Sequence, residues 1–190
     1  QQVRVHPEGG FVLEGRGLEP LHGRCLMLAT GGHPSGRKLA EALGHQVVPP
    51  VPSLFSLTLQ APALTACSGI AIDDVGLDLK LGNQRFRQTG RVLITHRGLS
   101  GPATLRLSAF AARALHQNRY QGELKLDWSA GLGRSGLTER LQQWRQEQAR
   151  RTLSAAKPFE HLPRRLWQAF LTMAGVEAER RWADLPIKAE

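Results

Sequence analysis

Hydrophobic and polar positions change rhythm several times along this chain. Val3-Arg4-Val5 alternates, Pro7-Glu8-Gly9-Gly10 is turn chemistry, and Phe11-Val12-Leu13 resumes the strand. Residues 25–29, Cys-Leu-Met-Leu-Ala, form a continuous apolar run, the pattern of a strand covered on both faces. The run empties into Thr30-Gly31-Gly32. Leu39, Ala42 and Leu43 then recur at helical spacing, with Ser35 as the predicted N-cap and Gly44 as the stop.

Pro49-Pro50-Val51-Pro52 is stiff and extended and suits a crossing between domains; with Phe55 it reads as a rigid linker rather than a cleft wall. Short strand signals follow at residues 54–59, 69–72, 77–81 and 91–94, punctuated by Asp73-Asp74 and Gly82-Asn83. Ser100 or Pro102 opens a helix carrying Leu105, Phe110, Ala114 and Leu115, and residues 123–128 alternate again. Beyond Ser129 the pattern turns helical. One helix runs through about Arg151 with Leu137, Leu141 and Trp144 on one face. Pro163 takes the first position of a second helix, and a short third begins near Gly175. The predicted class is α+β: a partial domain over residues 1–48, a small antiparallel β-barrel over 49–130 and a helical subdomain over 131–190.

Composition narrows the function classes. Hydrophobic content of 41% in 190 residues supports a buried core. No apolar run is long enough to span a bilayer, so no membrane role is expected. Two cysteines make no disulfide framework, which predicts a cytoplasmic protein. The chain opens without Met and directly in strand-like sequence, as a piece of a longer protein would. The net charge of +9 raises nucleic acid as a partner, and residues 76–130 hold nine basic against three acidic side chains. The arginines are dispersed, with no RNA-binding aromatic signature. We therefore read a solvated basic surface first, and a basic β-barrel binding module for RNA or another polyanion as the alternative.

Two segments can carry chemistry. In Ala29-Thr30-Gly31-Gly32, glycines allow close backbone approach and the next helix offers free N–H groups to an anion. The chain holds no G-x-G-x-x-G or P-loop string to complete a dinucleotide site. In the run from Thr95 to Pro102, hydroxyls, an imidazole and a guanidinium gather in a glycine-bearing turn. No Cys/His spacing suggests a metal, and no G-x-S-x-G elbow suggests a hydrolase.

The strings LATGG, GRKLAEALGH, PPVPSLFSLTL, LITHRGLSGPATLRLSAFAARAL and LPRRLWQAFL resemble bacterial FAD-dependent flavoproteins, NAD(P)/FAD-dependent oxidoreductases of the aminoacetone-oxidase type. Members have a Rossmann-like FAD domain interrupted by a β-barrel and a helical piece. The resemblance covers nearly the whole chain, and T-H-x-G-L-S-G-P is its most specific string. It implies that this chain is the end of the interrupted FAD domain plus the insert, with the remaining FAD-domain segments lying outside it. It also implies that Ala29, Thr30, Gly31 and Gly32 contact FAD. Thr95, His96 and Ser100 would polarise or protonate substrate, and Arg97, Gly98 and Gly101 would face it. Hydride would move between a small substrate or NAD(P)H and the flavin, and the piece alone would bind FAD weakly or not at all. Where members carry a long loop after the two glycines, this chain has only His33-Pro34-Ser35-Gly36-Arg37.

Overall fold

A computed structural model describes residues 2–185, which divide into two compact units with the boundary in the chain between Pro50 and Val51. The first unit is a three-stranded antiparallel sheet of β1 (Gln2–Val5), β2 (Phe11–Glu14) and β3 (Leu21–Gly23), with α1 (Pro34–Ala42) against β1. Its first turn closes as expected: His6 donates its N–H to the Gly10 carbonyl and Gly9 donates to that of His6, both at 2.9 Å. Two expectations are corrected here. Residues 25–29 form no strand and stay largely exposed, because a doubly covered strand needs partners on both edges and nothing among the described residues pairs with this one. The cap of α1 is His33, whose Nδ1 accepts the Ser35 N–H at 3.2 Å; Ser35 already lies inside the helix.

The second unit is built on an antiparallel sheet in the order β4-β7-β6-β5-β8, from β4 (Leu57–Thr58), β5 (Ala71–Leu81), β6 (Gln84–Thr95), β7 (Gly98–Ser100) and β8 (Glu123–Asp127). The signals at 69–72 and 77–81 merge into the single strand β5. Asp73-Asp74 makes a β-bulge rather than a turn, with Asp74 at φ 55°. The strand expected over 54–59 shrinks to two residues. Strict alternation sends Val75, Leu77, Leu79 and Leu81 to the covered face and Asp78 and Lys80 to solvent.

Helix α2 (Pro62–Thr65), α3 (Pro102–Phe110), α4 (Ala112–Gln117) and α6 (Arg164–Met173) complete the core; α5 (Gly133–Glu147) precedes α6 and carries no fully buried residue. Leu107 of α3, Leu115 of α4 and Leu166 of α6 share one apolar cluster with Leu77, Val92 and Ile94 of the sheet. A second cluster lies wholly in the helical segment. There Trp167 and Trp182 stack at 6.2 Å, and their indole N–H groups donate to the carbonyls of Leu153 (2.7 Å) and Ala156 (2.8 Å). Pro163 precedes α6 as its N-cap, α5 stops at Glu147 rather than Arg151, and the helix expected near Gly175 is replaced by a single 3-10 turn, Trp182–Asp184. The α+β class stands. No described helix is long and apolar enough to cross a membrane.

Candidate functional site

Strands β6 and β7 pair Thr95 with Gly98, leaving His96 and Arg97 as a tight two-residue turn. The Thr95 hydroxyl is used inside that turn. It accepts the N–H groups of Gly98 (3.1 Å) and Arg97 (3.4 Å) and donates to the Gly98 carbonyl at 3.2 Å. Gly98 is required for packing, since a β-carbon there would strike the Leu57 carbonyl oxygen and β4 could not come alongside. Ser100 accepts a hydrogen bond from the Ser56 hydroxyl at 2.9 Å, tying β7 to the segment before β4. Gly101, at φ 94°, is the cap of α3. Thr95, Gly98, Ser100 and Gly101 thus shape the loop. His96 and Arg97 are exposed at its tip, and among the described residues their side chains have no partner.

In the first unit, Ala29, Thr30, Gly31 and Gly32 are exposed, and neither glycine has a neighbouring atom within 4 Å of its β-carbon position. Gly36 is buried and lets the Thr30 side chain approach α1, because a β-carbon at 36 would collide with the Thr30 hydroxyl. Arg37 donates to the Gly32 carbonyl at 3.2 Å, and His33 already takes a first-turn N–H of α1. No glycine-rich pyrophosphate loop accompanies residues 29–32 in this chain.

The charge excess noted in residues 76–130 acquires a location. Arg85, Arg87 and Arg91 alternate along β6, so all three leave the solvent face of the sheet, where the register sets Lys80 opposite Arg85 and Lys125 in the row of Arg87. Asp78 pairs with Arg87 (3.1 Å) and Arg85 (3.6 Å), Asp73 with Arg91 (3.7 Å), and Glu123 with Lys125 (3.7 Å). Asp127 follows Lys125 by two residues on β8 and leaves the same face, so five cations stand against four carboxylates, a slight positive excess. Dispersed in sequence, these arginines meet only through the two-residue period of one long strand.

Sequence reasoning also missed a cleft of about 690 Å³ lined by both edge strands, Leu57 and Thr58 of β4 and Leu124 and Leu126 of β8. Phe55, expected in a linker, stands in its wall beside Tyr120, with ring centroids 5.9 Å apart at 71°. A partly closed sheet of this kind over a helical segment is what the family described as HI0933-like protein barrel and H2TH domain names, and that family matches residues 51–189. The chain belongs to the HI0933-like family. The family is flavoprotein-related, which agrees with the resemblance at the level of flavin enzymes.

Among relatives, the ribosomal RNA dihydrouridine synthase of Escherichia coli (strain K12) is 36% identical over 114 residues, 54% of this chain and 27% of that protein. The protein of the same name from Haemophilus influenzae is 38% identical over 95 residues, 45% of this chain and 23% of that protein. The chain therefore spans about a quarter of the length of the relatives it matches.

Proposed function

We propose that this chain is the RNA-facing portion of a flavin-dependent enzyme that reduces uridine in RNA to dihydrouridine. The names of its relatives suggest the reaction, and the observation that carries the reading is the arginine-rich face of β5, β6 and β8. The arginines and lysines along this sheet face outnumber its carboxylates and attract a polyphosphate backbone, and their spacing along strands suits successive phosphates. RNA thereby takes the place of the small-molecule substrate as our first reading. A hydride and a proton must be added across the C5–C6 bond of uracil, and bound flavin supplies the hydride chemistry.

On the resemblance of Ala29, Thr30, Gly31 and Gly32, we take the flavin to be FAD, held by these residues together with FAD-domain segments outside this chain. NAD(P)H is the electron donor in this reading. Because the hydroxyls of Thr95 and Ser100 are engaged within the fold, we assign substrate contact to the free side chains of His96 and Arg97. An RNA substrate suits the cytoplasmic location expected from Cys25 and Cys67, which are both unpaired.

The test uses the full-length protein containing this chain and a ribosomal RNA fragment. Filter binding over a salt series is expected to show affinity falling as salt rises. Arg85→Glu together with Arg87→Glu is expected to lower affinity at least tenfold and to flatten the slope. RNA affinity that neither salt nor these charge reversals change would overturn the reading. The flavin spectrum of the same preparation, bleached by NADH or NADPH, tests the cofactor assignment separately.

A further inference from the structure

We propose that the seam between the two edges of the five-stranded sheet holds one unstacked base of a single-stranded RNA segment. This rests on the RNA reading above and adds a specific place to it. With β4 at one end of the sheet order and β8 at the other, the sheet curls without closing, and its two edges face one cleft of about 690 Å³. That size lies within the roughly 300–1,000 Å³ of small-ligand sites.

The cleft's walls suit a flat heterocycle. Phe55 and Tyr120 meet edge to face, His116 stands at 90° to Tyr120 at 6.1 Å, and the Tyr120 residue remains 43% exposed. One ring is thus propped by two others while part of it stays open for stacking, which is how proteins hold splayed bases. Gln60 and Gln121 line the same cleft, and a glutamine amide offers both donors and acceptors, the complement of a uracil edge. Arg119 precedes Tyr120, and its guanidinium makes no ion pair among the described residues, leaving it available to a phosphate.

The site is built rather than accidental. Arg119 and Tyr120 both adopt left-handed backbone, φ 53° and 59°, an arrangement that two consecutive non-glycine residues hold only when the surroundings enforce it. Here the enforcing bonds run from the Tyr120 N–H to the Leu115 carbonyl (2.7 Å) and from the Arg119 N–H to that of His116 (3.1 Å). On the opposite wall, the Phe55 N–H donates to the fully buried Ser108 hydroxyl at 2.9 Å, fixing Phe55 to α3. An extended peptide closing the seam is disfavoured because β4, two residues long, offers too little ladder. The cleft positions RNA and performs no redox step.

The experiment uses the full-length protein and a uridine-rich single-stranded RNA carrying a fluorescent base analogue. Tyr120→Ala is expected to weaken binding about tenfold with an unchanged salt slope, and Tyr120→Phe to stay within about twofold of wild type. Gln121→Ala, at an exposed position that leaves folding intact, is expected to reduce the preference for uracil over adenine. Quenching of the analogue on binding, lost in Tyr120→Ala, supports the stacked geometry. If Tyr120→Ala and Gln121→Ala bind as wild type while the Arg85/Arg87 reversal weakens binding, this inference falls and the RNA reading stands. If wild-type protein binds no RNA, the RNA reading itself falls. Competition by an extended peptide that protects the β4 amides from exchange would assign the seam to a protein strand and overturn the proposal.

Discussion

Val12 in the three-stranded sheet and Val92 in the five-stranded sheet are both fully buried, yet they keep different company. Val92 belongs to a cluster in which strand and helix side chains from five or more elements interlock. Val12 is, among the described residues of the first unit, the one buried hydrophobic side chain, while Met27 is 86% exposed and Leu28 38%. Apolar pattern therefore has two outcomes in one chain. In residues 51–185 alternation and helical spacing are satisfied by each other. In residues 25–29 the pattern of a doubly covered strand is written in sequence and left without neighbours. This is the pattern expected of a strand whose partners belong to the FAD-domain segments of our proposal.

The contrast can be sharpened by substitution, beginning where the loss is greatest. Leu77→Ala removes a side chain that is 2% exposed and is expected to cost about 3 kcal/mol in urea unfolding, whereas Leu28→Ala in the same assay should change stability by less than about 0.5 kcal/mol. An equal cost at both sites would erase the distinction. Next comes Ser108→Ala, which strips the Phe55 N–H of its buried acceptor and is expected to cost about 1–2 kcal/mol in the same unfolding assay. Gly36→Ala should cost about 1 kcal/mol by displacing Thr30, and its effect on flavin retention in the full-length protein should exceed its effect on RNA affinity. Glu14→Gln breaks the exposed pair with Arg4 at 3.1 Å and should shift stability by no more than about 0.5 kcal/mol. Hydrogen exchange offers a comparison without mutation: amides 26–29 are expected to exchange rapidly in the isolated chain and slowly in the full-length protein.

Much of the fold was legible because local chemistry and tertiary environment agree. The Gly9–Gly10 turn, the return strand at 123–127 and the helix opened by Pro102 rest on turn residues, alternation and ring-fixed φ, which act over a few positions. Boundaries shifted where tertiary packing overrode local signals. Asp73-Asp74 looks like a turn, yet pairing on both sides continues the strand through a bulge. The candidate loop stands out in sequence by its residue types, while the bonds its hydroxyls make within the fold do not. Thr95 and Ser100 read as free hydroxyls, and only the folded chain shows one closing its own turn and the other held by Ser56 across 44 residues of sequence.

By itself the sequence determined the α+β class, the polar loop at 95–102 and the open glycine turn at 29–32, because periodicity, turn chemistry and missing β-carbons are properties of neighbours along the chain. Tertiary structure alone decided that scattered arginines share one face and that Phe55 meets Tyr120. It also brought the two ends of the sheet to one cleft. Strand register and sheet curvature made these meetings, and both arise from pairing between residues tens of positions apart.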